Sequence, residues 1–127
     1  MAITLEKIRQ IALVFKRLDA AVSFYRDTLG LKFLFQAGPN IAFFDCSGTW
    51  LIFTTPEKPE FDHPNNILYF NVADIQAAHV ELAGKGLKFE EVPRVIAKME
   101  AYDLWMAFFR DEENNLLALR SEVKPTP

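Results

Sequence analysis

The chain repeats part of its own sequence. Gly30-Leu31-Lys32-Phe33 recurs as Gly86-Leu87-Lys88-Phe89, and Ala42-Phe43-Phe44 recurs in the same order as Ala107-Phe108-Phe109. Self-similarity on this scale marks a duplicated supersecondary unit whose copies do not bury their apolar faces alone. We therefore expect two modules of one fold, and this expectation restricts the architecture more than any other feature of the sequence.

Each copy begins with a strand pattern that leads into a helix pattern. The predicted strands are 11–15 and 68–72, and the predicted helices, with apolar residues at spacings of three and four, are 18–29 and 75–82. Glycines follow both helices, as is typical of helix ends. Asp74 is a good N-cap for the second helix, whereas Arg17 is a poor one, so the first helix should begin more weakly.

Two predicted hairpins complete the copies. The first joins strands 41–44 and 50–54, and the second joins 104–109 and 116–120 through 111–115, where Asn114 can adopt the left-handed conformation. Each copy is therefore βαβββ. The predicted fold class is α+β, with two tandem βαβββ modules forming a curved mixed sheet of half-barrels and the helices on its convex side.

We expect one domain, residues 1–127, in which the two modules share a core. The last strand is expected to end at Arg120, with fraying from Ser121 onward. The predicted segments are module one at about 6–55, a Pro-rich connector at 56–65, module two at about 66–122 and a tail at 123–127.

Composition narrows the function. Twelve Phe stand against two His and one Cys, so the soft ligands that transition metals prefer are scarce. The single Cys46 excludes a disulfide framework and agrees with a reducing compartment. A net charge of −3 with dispersed charges indicates no binding to nucleic acid or membrane. No apolar run is long enough to span a bilayer and the N-terminus lacks a signal-peptide pattern, which predicts a cytoplasmic protein.

The helix end Phe24-Tyr25…Leu29-Gly30-Leu31 and the closing hairpin, Ala107-Phe108-Phe109…Leu116-Leu117-Ala118-Leu119, resemble the glyoxalase, bleomycin-resistance and extradiol-dioxygenase superfamily, the vicinal oxygen chelate fold. The resemblance covers about 8–122. It implies half-barrels whose concave face holds a divalent metal on four ligands, one from the first and one from the last strand of each module. That metal acts as a Lewis acid.

The ligand positions implied by the resemblance fall on Gln10, Ile52, Ile67 and Ala118. Only Gln10 has a donor atom. A one-residue shift of register turns each strand to its other face and supplies at most Asn66. We therefore expect no catalytic metal and no cofactor at the family position.

Strand alternation places an apolar and aromatic set on the same inward faces, typical of a small-molecule site. Ala107 and Phe109 are assigned to this face together with Trp105. For the aromatic residues, filling of the core is an equally acceptable interpretation. The candidate ligand-binding residues are Gln10, Trp50, Ile52, Ile67, Tyr69, Asn71, Trp105, Ala118 and Arg120.

The resemblance favours a protein that binds a small apolar or aromatic molecule without metal, as drug-sequestering members of the superfamily do. The acidic net charge suits a cationic ligand. The alternative is a lyase, isomerase or dioxygenase with unconventional metal ligands or with Tyr69, Tyr102 or Glu100 as acid-base groups. A two-fold homodimer is expected in either case.

The remaining reactive side chains receive structural interpretations. His79 lies on a helical stripe that packs on the sheet, and Cys46 is a passive thiol in a turn. His63 is expected to be solvated in the connector, with closure over a neighbouring pocket as the alternative.

Overall fold

A computed structural model describes residues 3–125 of the chain. Within that range it contains eight β-strands and two α-helices. The chain divides into two compact units, Met1–Asn65 (unit 1) and Asn66–Pro127 (unit 2). Each unit has the order βαβββ, so the predicted duplication and the α+β fold class are confirmed. No helix of the described residues is long and apolar enough to cross a membrane.

Unit 1 is a four-stranded mixed sheet with a helical segment on one face. Its elements are β1 (Gln10–Val14), α1 (Leu18–Ser23), β2 (Lys32–Gln36), β3 (Ile41–Cys46) and β4 (Thr49–Thr54). The strand order is β1-β4-β3-β2, in which β1 is parallel to β4 and the other pairs are antiparallel. The Pro-rich segment after β4 contains one 3₁₀ turn, Pro59–Phe61.

Unit 2 repeats this arrangement. Its elements are β5 (Leu68–Asn71), α2 (Ile75–Gly84), β6 (Arg94–Lys98), β7 (Asp103–Arg110) and β8 (Leu116–Val123). The strand order β5-β8-β7-β6 matches that of unit 1 position by position, again with one parallel pair, β5 with β8.

The core of unit 1 is aromatic. Phe53 of β4 lies at its centre, with ring centroids 4.6 Å from Phe44, 4.7 Å from Phe15 and 4.8 Å from Tyr25. All four side chains are fully buried. Tyr25 follows α1, so these contacts identify the sheet face that α1 covers.

The core of unit 2 is mainly aliphatic. Its buried side chains lie on α2, on the segment after it and on the two central strands: Ile75, Leu82, Leu87, Ala107, Phe109, Leu117 and Leu119. One chain of rings joins the helix to the sheet, since His79 contacts Phe89 at 4.5 Å and Phe89 contacts Phe109 at 5.7 Å. His79 therefore packs toward the sheet, as predicted.

The predicted first helix is only partly correct. Its α-helical part ends at Ser23 and continues as a π turn, Phe24–Thr28, closed by a 3.1 Å hydrogen bond from the Leu29 N–H to the Phe24 carbonyl. The extra residue in that turn shifts the phase of the helix by about 100°. The stripe is consequently buried only as far as Tyr25, and Leu29 is half-buried.

The two helix starts behave as predicted. Arg17 makes no side-chain hydrogen bond to the first turn of α1. The Asp74 carboxylate accepts a 3.0 Å hydrogen bond from the Ala77 N–H, which satisfies a backbone donor that the helix itself leaves unpaired. Asn114 has a φ of 67°, the predicted left-handed conformation.

The predicted fraying from Ser121 is wrong. Strand β8 continues to Val123, and Ser121 is fully buried. Its hydroxyl donates to the carbonyls of Val72 at 2.5 Å and Ala73 at 3.3 Å, so a polar residue extends the strand by completing its own hydrogen bonds. The last two predicted tail residues, 126–127, lie outside the described residues.

Candidate functional site

The strand register collects the unit 1 candidates on the sheet face opposite α1, here called the open face of unit 1. Gln10 pairs with Trp50, and Ala12 pairs with Ile52, in the parallel ladder of β1 and β4. Neighbours in register point to the same side of a sheet. Phe53, next to Ile52, points into the aromatic core, so Gln10, Trp50 and Ile52 lie together on the other side as predicted.

Two rings that were not predicted join this face. Phe43 is the partner of Ile52 in the β3–β4 ladder, and Phe35 is the partner of Phe43. We name Phe35, Phe43 and Trp50 the aromatic strip. The Phe35 and Phe43 rings are stacked at 4.6 Å, and Trp50 meets them edge to face at 6.4 and 5.7 Å.

Phe35 reaches the strip because of a bulge in β2. Phe33 pairs with Phe44, whose side chain is in the core, whereas Phe35 pairs with Phe43 on the open face. Simple alternation would place Phe33 and Phe35 on one face, and the irregularity between them reverses the second. Alternation along β3 predicts that Phe43 lies on the open face, but no sequence pattern predicts the bulge in β2.

One edge of the aromatic strip is positively charged. The Arg9 guanidinium lies 4.4 Å from the centre of the Trp50 ring, a cation–π contact. Arg9 Nη1 donates to the Gly48 carbonyl at 2.8 Å, and Lys7 Nζ donates to the same oxygen at 2.9 Å. The turn between β3 and β4 thus gathers two cations beside Trp50.

A cavity of about 320 Å³ lies where the connector meets the open face of unit 1. We call it the connector cavity. Ala12, Ile41 and Thr54 contribute the sheet side, and the connector supplies most of the remainder. Its lining is Ala12, Asn40, Ile41, Thr54, Thr55, Pro56, Glu57, Lys58, Phe61 and His63. His63 is exposed, as expected of a solvated connector residue, and it also contributes to the lining of this cavity.

Polar contacts hold the two ends of the connector. At its start, Asn40 Nδ2 donates to Glu57 Oε1 at 3.0 Å, and the Asn40 carbonyl accepts from the Thr55 N–H at 3.0 Å. At its end, the Asn65 amide accepts from the Val14 N–H at 2.8 Å and donates to the Val14 carbonyl at 2.9 Å. Asn65 thereby pairs with the free edge of β1 as a neighbouring strand would.

In unit 2 the face away from α2, here the open face of unit 2, holds Tyr69, Ala118 and Phe108. They are neighbours in register, and the Tyr69 and Phe108 rings meet at 6.0 Å on either side of Ala118. Ala118 is fully buried, whereas Tyr69 is half exposed. Ile67 precedes β5 by one residue and is also exposed.

A polar pair lies beside these residues. Arg120 Nη1 donates to Asn71 Oδ1 at 3.2 Å, and Arg120 Nη2 forms an ion pair with Glu122 at 3.1 Å. The strand register places Asn71 next to Arg120 directly. The amide and guanidinium groups predicted to orient a ligand are therefore already in contact.

Trp105 was assigned to the wrong face. The β7–β8 register runs without interruption and pairs Ala107 with Leu119 and Phe109 with Leu117 in the core toward α2. Trp105 has the same parity and lies opposite Ser121. The strand presents Met106 and Phe108 to the open face instead. The error arose because a continuous apolar run contains no alternation from which parity can be read.

The donor atoms at the four family positions do not fit a divalent metal. In unit 1, Gln10 offers one amide oxygen and Ile52 none, and in unit 2 neither Ile67 nor Ala118 offers any. Among residues 3–125, His, Cys, Asp and Glu side chains form no group of three that could hold a metal ion.

The other reactive side chains singled out from the sequence are Cys46, Glu100 and Tyr102. Burial, followed by the Asp45 carboxylate, raises the pKa of the Cys46 thiol, which favours the protonated form. Glu100 is exposed. Tyr102 closes a turn in which its backbone carbonyl accepts a 2.8 Å hydrogen bond from the Met99 N–H.

Comparison with known proteins identifies relatives. The family model described as Glyoxalase/Bleomycin resistance protein/Dioxygenase superfamily matches residues 7–119. Curated proteins provide no significant sequence match.

Several solved structures share the fold. A lactoylglutathione lyase from Agrobacterium tumefaciens is 18% identical, with 93% of this chain and 95% of that chain covered and a TM-score of 0.74. A superfamily member from Sphaerobacter thermophilus is 20% identical, with 93% and 98% covered and a TM-score of 0.74. A virulence protein from Salmonella typhimurium is 16% identical, with 95% and 100% covered and a TM-score of 0.76. At these identities the likeness establishes the fold alone.

Proposed function

Because the chain belongs to the glyoxalase/bleomycin resistance protein/dioxygenase superfamily, we propose that it binds a small apolar or aromatic molecule on an open sheet face. Binding takes place without a metal at the four family positions, since three of those residues have no donor atom. The proposal concerns recognition of a ligand and assigns no reaction.

The aromatic strip carries this proposal. Phe35 is 47% exposed although it stacks on Phe43, so ring surface stays in contact with water on the face that the helix leaves uncovered. Covering such surface with another ring removes apolar area from water and adds a favourable aromatic pair. A core filled by its own side chains would not expose this area.

Polar groups beside the rings supply orientation. Gln10 is exposed next to Trp50 in unit 1, and the Asn71–Arg120 pair lies next to Tyr69 in unit 2. Small-molecule sites commonly combine an apolar lining with a few such groups. Trp105 is not part of the proposed site because it lies on the opposite face of its sheet.

Tryptophan fluorescence tests the proposal, because the chain has two Trp on different faces. The W105F variant keeps Trp50 as the sole tryptophan, and the W50F variant keeps Trp105. We expect 2-phenylethanol to change the emission of W105F saturably and to leave W50F unchanged. Equal responses of the two variants would contradict binding at the aromatic strip.

Thermal unfolding separates this function from a metal enzyme. After dialysis against EDTA, 2-phenylethanol should raise the melting temperature, whereas Zn²⁺, Mn²⁺ and Ni²⁺ should not. A ligand that binds only the folded state stabilises it in proportion to the logarithm of its saturation. A strong rise with a stoichiometric metal would contradict the proposal and favour the enzymatic alternative.

We also propose a two-fold homodimer and a cytoplasmic location. The exposed apolar side chains Phe35, Ile67 and Tyr69 support association with a second chain. A single Cys, which forms no disulfide within the chain, supports a reducing compartment. Light scattering during size-exclusion chromatography tests the first point, and a monomeric mass would contradict it.

A further inference from the structure

The connector cavity contains none of the nine residues predicted from the sequence, and it combines an apolar wall with hydrogen-bond acceptors. We propose that it binds the amine or ammonium group of a small amphipathic molecule. The inference rests on the proposed function, because it names a ligand class for the open face of unit 1.

The first acceptor is a carboxylate held in place. Asn40 Nδ2 donates to Glu57 Oε1 at 3.0 Å, and Asn40 is itself fixed through the Thr55 N–H. A carboxylate has two oxygens and accepts several hydrogen bonds, so one amide donor leaves most of its capacity for a ligand. Hydrogen bonds between an ammonium group and a carboxylate are among the strongest available.

The second acceptor is a ring nitrogen of His63. Nδ1 lies 3.1 Å from the Pro64 carbonyl, and a carbonyl oxygen only accepts, so Nδ1 must carry the proton. In the neutral ring Nε2 then has a free lone pair and accepts a hydrogen bond. Glu57 and His63 thus both favour a ligand group that donates hydrogen bonds.

The apolar wall accommodates the rest of such a molecule. Ala12 and Ile41 come from the sheet, and Pro56 and Phe61 come from the connector. The Phe61 ring is 59% exposed, and a ring face attracts a neighbouring cation. A volume of about 320 Å³ is at the lower end of small-molecule sites, which favours a single ring or a short aliphatic body.

Lys58 is the single Lys or Arg side chain among the residues that line the cavity. Its positive charge repels an ammonium ligand. A rival proposal would have Lys58 bind an anionic ligand. The Glu57 carboxylate is the neighbouring charge and would repel that anion, whereas a cation meets the carboxylate, the His63 acceptor and the Phe61 ring together. The balance of groups therefore favours the amine, and removal of Lys58 should strengthen its binding.

Calorimetric titration of the full chain with three matched probes tests the proposal. The probes are 2-phenylethylamine, 2-phenylethanol and phenylacetate, which share one ring and differ in charge. We expect the amine to bind most tightly and phenylacetate most weakly. Loss of a charge-assisted hydrogen bond in E57Q should weaken amine binding about tenfold and leave 2-phenylethanol within about twofold.

Two further variants make the result independent of folding defects. E60Q removes a carboxylate from the same connector, but Glu60 does not line the cavity, so amine binding should be unchanged. K58M removes the opposing charge and should tighten amine binding several-fold, a gain that a damaged fold would not produce. Equal losses in E57Q and E60Q, or a loss in K58M, would overturn the proposal.

Amide chemical shifts distinguish failure of this inference from failure of the proposed function. Shifts induced by the amine at Ile41, Thr55 and Glu57 support the connector cavity. Shifts confined to Phe43 and Trp50, with no preference for the amine over the alcohol, overturn the inference and leave the proposed function standing. Absence of binding by all three probes contradicts both.

Discussion

The two units share a topology but are stabilised by different side chains. In unit 1, four fully buried aromatic residues surround one another, and Phe53 contacts three other rings. In unit 2, Leu and Ile fill the equivalent space, and Phe109 contacts one ring. A duplicated fold therefore retains its strand order while its core is rebuilt, because packing requires matched volume and shape rather than particular residues.

The helices of the two units also differ in length and in capping. α2 has ten residues and an Asp74 cap, whereas α1 has six, lacks a side-chain cap and passes into a π turn. The helix with the weaker local signals packs on the aromatic core. Tertiary packing thus compensates for poor capping in unit 1, as is general for short helices.

The turns that close the two sheets have different charged surroundings. In unit 1, Lys7 and Arg9 from the segment before β1 donate to the Gly48 carbonyl, and the Asp45 carboxylate at the end of β3 accepts a 3.1 Å hydrogen bond from the Gly48 N–H. In unit 2, the equivalent turn contains Asp111 and two adjacent glutamates, and Asp111 accepts hydrogen bonds from the backbone of Glu113 and Asn115 at 2.9 and 2.8 Å. Burial first, and then the Asp111 charge, raise the pKa of the Glu112 carboxyl to about 7.

The largest expected effect separates the two cores. F53A should lower the free energy of unfolding by about 4 to 5 kcal/mol and F109A by about 3 to 4 kcal/mol, because Phe53 loses three aromatic contacts and Phe109 loses one. Urea unfolding measures both values. V80A, at an exposed position of α2, is the control and should change stability by less than about 0.5 kcal/mol. A larger loss of unfolding free energy in F109A than in F53A would contradict this difference between the two cores.

A smaller effect separates the two helix starts. D74A should cost about 1 kcal/mol, because the Ala77 N–H loses its partner. R17A should lie within about 0.5 kcal/mol of the parent, since Arg17 provides no cap hydrogen bond. Thermal or urea unfolding of both variants decides the point. Equal costs would show that capping does not distinguish the helices.

The smallest effect concerns the acidic turn of unit 2. Desolvation first, and then the Asp111 charge, raise the pKa of Glu112 from an ordinary value of 4.5 to about 7. The folded state therefore binds a proton that the unfolded state has released between these values, so stability falls as the pH rises through this window. Glu112 is an exposed residue, so we expect only a small effect.

E112Q removes this titration. The melting temperature of E112Q minus that of the parent should be larger at pH 8 than at pH 5. These two pH values enclose most of the range between 4.5 and about 7. The control variant V80A, at an exposed position of α2, changes no titratable group and should show no such pH dependence. A difference that is constant with pH would contradict the raised pKa.

The face on which a candidate residue lies could be predicted where polar and apolar residues alternate along its strand. Gln10, Trp50 and Ile52 were found together because β1 and β4 alternate between polar or exposed residues and core residues. Trp105 was misplaced because its strand is apolar on both faces. Phe35 was missed because one irregular residue pair in β2 reversed its direction.

The connector cavity shows a second kind of limit. Its residues come from three separate stretches of sequence, and no periodicity relates Ala12, Asn40 and Glu57. The Asn65 contacts with Val14 bring the end of the connector back to β1, and a long-range side-chain contact of this kind has no local signature. His63 was therefore recognised only as an alternative.

The sequence by itself determined the duplication, the βαβββ order, the better helix cap and the scarcity of metal ligands. These depend on local spacing and on side-chain chemistry, which a linear pattern records. Only the tertiary structure decided the π turn after α1, the face of Trp105, the aromatic strip and the connector cavity. Each of these depends on which distant strand or segment a residue meets, and that is settled by packing and by hydrogen bonds between remote parts of the chain.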